Sequence, residues 1–263
     1  MFDRDRNQPD RYQPPGAPGA PGSPSGPVTP WSAQIAGRGA VEAGAGQGVV
    51  AREGFLTMSF VWMFLALLVS AAAAAFVFTN SRALELVLQN FFLLIIAELV
   101  FVFAISLGIN RLGAMPALAL LFAYALLNGL TMAVIVMAYT SESVLAAFLG
   151  ASAIFGGAAL YGVATKRDLT KLGGILFMGL IGLIVMSIVN IFVGGSQLSW
   201  IIGVVGVVIF TGLTAYDVQR INNGGLSWIK TREAASVVGA LALYLDFVNL
   251  FLMLLRVFGS SRD

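Results

Sequence analysis

The chain has 263 residues, 58% of them hydrophobic and 11% charged, with a formal net charge of +2 and a mean hydropathy of +0.88. That composition excludes a soluble domain and defines a polytopic helical membrane protein, with the lipid bilayer as its first partner. Cysteine and histidine are both absent, which removes disulfides, thiolate and Ser-His-Asp nucleophiles, and Cys- or His-ligated metals.

The remaining exclusions come from the same counts. Lysine occurs only at positions 166, 171 and 230, outside every apolar run, so no retinal-type Schiff base lies within the bilayer. No cofactor, no nucleic-acid partner and no enzymatic activity are expected. Titration near neutral pH must come from carboxylates in unusual surroundings.

Residues 1–30 hold eight of the nine prolines, interleaved with Gly and Ser. Such a segment cannot bury a core and reads as a disordered tail. No apolar stretch follows the early arginines, so it is not a signal peptide. Residues 31–56 read as a small-residue linker, which sets a tail and linker over 1–56, a transmembrane domain over 57–259 and a short tail over 260–263.

Seven apolar runs follow, at about 57–79, 86–109, 115–139, 143–164, 172–194, 198–221 and 235–257. Each is near the roughly 20 residues that cross a hydrocarbon core. Short connections imply antiparallel neighbours in one all-α bundle. Charge sets the orientation. With the N-terminus in the cytoplasm, that side holds Arg4, Arg6, Arg11, Arg38, Arg52, Arg111, Lys166, Arg167, Lys171, Arg220, Lys230 and Arg232. The other side keeps Arg82, Arg256 and Arg262. The positive-inside rule then predicts a plasma (inner) membrane protein with N-terminus in and C-terminus out.

Polar residues inside the runs are the functional candidates. Asp217 and Asp246 sit in the last two runs, and Glu98 sits mid-way along the second. An ionised carboxylate at the bilayer centre costs about 2.5–3.5 kcal/mol on insertion scales, so such residues mark ion pathways, proton relays or sensors. Asp217 is about 6 Å and Asp246 about 16 Å from the cytoplasmic end of their runs. If they meet, the two carboxyls share a proton as a coupled pair. Arg220 lies one turn after Asp217, on roughly the same face. Asn128, Asn190 and Asn249 fit interhelical hydrogen bonding.

Four segments carry a resemblance. They are the Tyr161-Gly162 and Thr165-Lys166-Arg167-Asp168-Leu169 stretch, Phe210-Thr211-Gly212-Leu213-Thr214-Ala215-Tyr216-Asp217, Leu243-Tyr244-Leu245-Asp246-Phe247-Val248-Asn249-Leu250-Phe251, and Ala125–Thr131 with Asn128. Together they resemble the Bax inhibitor-1 family of membrane proteins, over residues 86–259. The resemblance implies a seven-helix bundle whose last helix is central, surrounded by two groups of three. Bacterial members are similar to a pH-sensitive calcium leak in which two aspartates form the sensor, and Asp217 and Asp246 stand at those positions. Glu98 matches a recurrent second-helix acid.

The same resemblance places Tyr216, Tyr244, Asn128 and Asn249 as supporting polar residues. It makes calcium the transported ion, with Asp217 and Asp246 as weak calcium ligands. One position departs from the family. A second-helix arginine that latches the sensor is replaced by Leu107-Gly108, leaving Arg111 or Arg220 as the latch. The competing expectations are a membrane-embedded modulator of a protease or of stress responses, and an intramembrane aspartyl protease. The last is weakened because neither aspartate stands in a GxGD-type motif.

Overall fold

The structure, a computed structural model, describes residues 30–226 and 228–260, with side chains described from Phe55 onward, Leu112 apart. The chain divides into two compact units, Met1–Ala45 and Gly46–Asp263, and the membrane bundle belongs to the second. The expected proline-rich disorder of residues 1–29 lies outside the described residues.

The elements are helices: α1 (Pro30–Thr79), α2 (Ser81–Gln89), α3 (Phe91–Leu112), α4 (Ala114–Met137), α5 (Ser141–Ala164), α6 (Thr170–Val193), α7 (Ser196–Asn222) and α8 (Arg232–Phe258). Among the described residues, seven of them contain a segment long and apolar enough to cross a membrane: Phe55–Thr79 of α1, Phe91–Arg111 of α3, and α4 to α8 over their full lengths. The all-helical, seven-span fold read from the sequence is therefore the observed one. Two boundaries differ. Helix α1 begins at Pro30, through residues 31–56 that read as linker. Pro at the start of a helix leaves no hydrogen bond unmade, and no proline follows until Pro116.

The second difference is α2. The apolar run expected over 86–109 is broken at Asn90, whose Nδ2 donates to the Leu86 carbonyl at 2.8 Å. The side chain occupies a carbonyl of the turn it closes, and the chain restarts as α3. Asn80 caps α2 by accepting from the Ala83 N–H at 3.1 Å. Arg82, Glu85 and Gln89 make this short helix polar on one side, while Val87 is buried on the other.

Local chemistry fixes the other ends. Thr140 and Thr231 cap α5 and α8 through their hydroxyl oxygens, with Glu142 and Glu233 in the first turns where the helix dipole favours an acid. Helices α3 and α6 stop at Gly113 and Gly194, with φ of 76° and 68°, a backbone region that side-chain-bearing residues rarely enter.

Helix α8 is the axis. It packs against α3, α4, α5 and α7, and Tyr244 reaches α1 through Ser70. Its apolar window is 61% buried, against 6% for α6 and 11% for α3, so the last helix is central and those two face lipid. One group around it is α1, α3 and α4; the other is α5, α6 and α7. Phe247 of α8 is wedged edge-on against Phe148 and Phe155 of α5, and Phe155 meets Phe60 of α1.

Glycines set how closely these helices approach. A Cβ on Gly129 of α4 would run into the Ser70 backbone of α1, whereas one on Gly156 of α5 would meet nothing within 4 Å. Gly129→Ala is therefore expected to destabilise the bundle by about 1–3 kcal/mol through overpacking. Gly156→Ala should be neutral or stabilising by up to about 1 kcal/mol, from helix propensity alone. Thermal unfolding of the two purified variants in detergent distinguishes them, and equal melting temperatures would refute the close α1–α4 approach.

Candidate functional site

A cavity of about 1020 Å³ lies beside α8, walled by α3, α4, α6, α7 and α8. Glu98 reaches it from α3, Tyr124 and Asn128 from α4, Tyr216, Asp217 and Arg220 from α7, and Asp246 and Asn249 from α8. Of the polar residues singled out in the sequence, Tyr244, Arg111 and Asn190 do not line it, and Asn190 instead donates to the Ser199 hydroxyl of α7 at 2.7 Å. Arg111 is exposed, and no ion pair with either aspartate involves it. Tyr244 is fully buried just behind the wall, its ring edge-on to Tyr124 at 5.6 Å.

The antiparallel packing of α7 and α8 sets the heights of the two aspartates. Gly239 of α8 lies against Ile221, and Gly206 of α7 against Met253. Counting from those contacts puts Asp217 level with Leu243. Asp246 is then one turn deeper, about 4.5 Å along the axis. Both carboxyls line the same cavity, and no hydrogen bond joins them. The wide depth difference expected from the runs shrinks because α8 begins with Arg232, beyond the last turn of α7.

The three acids have different partners. Glu98 accepts from the Thr131 hydroxyl at 2.6 Å and from Asn128 Nδ2 at 3.1 Å. Asp217 has Arg220 at 3.9 Å, a loose ion pair whose guanidinium side chain is 40% exposed. Asp246 is only 4% exposed, and its Oδ2 has no hydrogen-bond partner. A buried polar atom without a partner is rare and needs a physical reason. Asn249, one turn on, donates to the Leu245 carbonyl at 2.8 Å and leaves Asp246 uncompensated.

Glu98 is tied to α1 by a chain of side chains. Asn128 Oδ1 accepts from the Tyr244 hydroxyl at 2.8 Å, Tyr244 Oη lies 2.6 Å from Ser70 Oγ, and Ser70 Oγ lies 2.7 Å from the Ala125 carbonyl. Ser70 Oγ also lies 3.1 Å from the Ala66 carbonyl, so the two protons of Ser70 and Tyr244 are shared among four contacts. Tyr244 donates to Asn128 and Asn128 to Glu98, which gives the chain one direction, from α8 through α4 to α3.

A second tether lies at the end of the bundle that carries Lys166, Arg167 and Lys230. Gln219, two residues past Asp217, donates Nε2 to the Arg167 carbonyl at 2.8 Å and accepts from the Leu169 N–H at 2.9 Å. This strap holds the α5–α6 loop onto α7. In the same loop the Thr170 hydroxyl and N–H both donate to Asp168, and they hold its carboxyl below the usual range. At the end of α3, Asn110 Oδ1 accepts from the Lys230 N–H at 3.2 Å. Sequence reasoning missed Ser70, Thr131 and Gln219. A lone hydroxyl in a long Ala/Leu run, as at Ser70, was the available signal for the first.

Fold and site together define a polytopic helical membrane protein built around an acid-lined internal cavity. The sequence profile of the family described as "Inhibitor of apoptosis-promoting Bax1" matches residues 52–263, and the chain belongs to this Bax inhibitor-1 family. It is 41% identical over 216 residues to the inner membrane protein YbhL of Escherichia coli K12, covering 79% of this chain and 92% of YbhL. It is 40% identical to a Borreliella burgdorferi protein over 82% of this chain and 96% of the relative. A Deinococcus radiodurans protein is also 40% identical, over 80% and 91%.

The buried chain makes a sharp stability prediction. Tyr244→Phe leaves Asn128 and Ser70 without their shared hydroxyl, at an expected loss of about 1–3 kcal/mol. In a double-mutant cycle with Ser70→Ala, the two losses should fall short of additive by at least about 0.5 kcal/mol. Strict additivity in detergent unfolding would mean that the 2.6 Å contact contributes nothing.

Proposed function

We propose that this protein is a cation leak, calcium among its ions, conducting past Glu98, Asp246 and Asp217 and gated by protonation of the two aspartates. The observation that carries the reading is the convergence of three carboxyls from α3, α7 and α8 on one cavity inside an otherwise apolar bundle. Family membership supports it, because the motif positions that imply the sensor are Asp217 and Asp246.

The physical logic is electrostatic. A neutral or singly charged pair is tolerated beside apolar walls, and α7 and α8 stay packed. Loss of the proton leaves two like charges about one turn apart in a low dielectric, which repel each other and attract cations. Flux therefore rises as pH rises through the titration of the pair. The charged or titratable groups lining the cavity with the pair are Glu98 from α3, Tyr124 from α4, and Tyr216 and Arg220 on α7. Arg220 plays the latch in this reading, since it holds Asp217 only loosely at 3.9 Å and is free to swing toward solvent. Carboxylate oxygens suit hard cations.

The test is calcium flux into liposomes across a pH series. Asp217→Asn and Asp246→Asn should each flatten or shift the profile. The double variant should behave like either single one, because two residues acting as a unit do not give summed effects. Wild-type profiles in both single variants would end the sensor reading. Absence of flux at every pH in the unmodified protein would leave a non-conducting modulator of other membrane proteins.

Orientation belongs to the same proposal: N-terminus in the cytoplasm, C-terminus outside, in the inner membrane. The chain has no cysteine, so single cysteines can be introduced on a clean background. A cysteine at Lys230 should resist a membrane-impermeant thiol reagent in intact cells, whereas one at Glu142 should react. The reverse pattern would invert the topology and put the loose Asp217–Arg220 pair at the outer face.

A further inference from the structure

We propose that the cavity is also a binding site for a single-chain amphiphilic amine, drawn sideways from the bilayer, whose ammonium pairs with Asp246. Three independent features point to it. The first is access. Helix α3 packs on α4 and α8, and α6 on α7, while among the described residues α3 and α6 make at most a marginal contact with each other. The cavity therefore has a lipid-facing slot, edged by Leu99 and Ile184, which line it and are more than half exposed.

The second feature is the unmet acceptor. Asp246 lines the cavity, is 4% exposed, and leaves Oδ2 without a partner. Glu98 has two donors and Asp217 has Arg220, so Asp246 is the carboxyl that a ligand's charged N–H would satisfy. The third feature is the character of the walls. Leu241, Leu245 and Val248 surround Asp246 on its own helix. An alkyl chain suits them.

Charge also decides between amphiphiles. A phospholipid bearing an amine would carry its phosphate into a space shared by three carboxyls, whereas a simple long-chain amine brings positive charge alone. Arg220, at the mouth near Trp228, repels an ammonium there and leaves Asp246, one turn deeper, as the favoured position. The tail then runs out between α3 and α6 into the hydrocarbon core. If the cavity also conducts, such a ligand would obstruct the path. Binding is nonetheless read without flux, so either proposal can fail alone.

The experiment is equilibrium binding of radiolabelled dodecylamine to the full chain in phosphatidylcholine nanodiscs, with empty nanodiscs as the partition control. Saturable binding of one amine per protein is expected, displaced by unlabelled dodecylamine but poorly by dodecanol or propylamine. Asp246→Asn should weaken it by about ten- to a hundredfold, the usual worth of a hydrogen bond to a charged group. Ile184→Trp, which plugs the slot and leaves the carboxyl intact, should weaken it as well and is the deciding variant if Asp246→Asn does not fold. The proposal is overturned by uptake equal to that of empty nanodiscs, or by dodecanol competing as well as dodecylamine. It is also overturned if folded Asp246→Asn binds like wild type or, where that variant does not fold, if Ile184→Trp does.

Discussion

Everything in this bundle depends on one constraint: the most buried helix also carries polar groups at its deepest positions. Tyr244 and Asp246 sit two residues apart on α8, both almost inaccessible. Without water at that depth, each polar atom must find its partner on a neighbouring helix or remain unpaired at a penalty of order 1–3 kcal/mol. The helices around α8 are placed so that they answer Tyr244 and leave Asp246 open.

How they answer Tyr244 explains much of the packing. Its hydroxyl needs a donor and an acceptor, and Ser70 from α1 and Asn128 from α4 supply them. For Ser70 to reach, α1 and α4 must touch backbone to backbone, and Gly129 permits that. Glu98 then completes the chain from α3. One buried hydroxyl thus fixes the register of all three helices of the first group. The second group meets α8 through shape: Phe247 against the α5 aromatics, and Gly203 and Gly206 of α7 against Met253 and Val257. Polar specification on one side and steric fit on the other leave a seam between the groups, and the cavity lies along it.

The sequence made some of this legible and concealed the rest for identifiable reasons. Runs of twenty-odd apolar residues announce membrane helices whatever their partners, so the seven spans and the standing of Glu98, Asp217 and Asp246 could be read directly. The break at Asn90 could not, because hydropathy does not register a side chain bonding a backbone carbonyl. Ser70 is a single hydroxyl among apolar residues, and its importance lies in Tyr244, 174 residues away. Gln219 looks like an ordinary helix-end residue until the backbone of Arg167 and Leu169 is seen folded over it. The sequence places Arg220 one turn after Asp217 and leaves Arg111 as the other latch. In the structure Arg220 lies 3.9 Å from Asp217, while Arg111 is exposed and pairs with neither aspartate.

The three acids, finally, are not interchangeable, because each has different partners. Glu98 is embedded in a hydrogen-bonded chain that runs through Asn128 and Tyr244 to Ser70 on α1. Asp217 is partly exposed and loosely paired with Arg220. Asp246 has neither a chain nor a cation. Helix α8 carries both the open carboxyl and the hydroxyl of the chain, so it is the element on which the contacts of the two groups of helices meet.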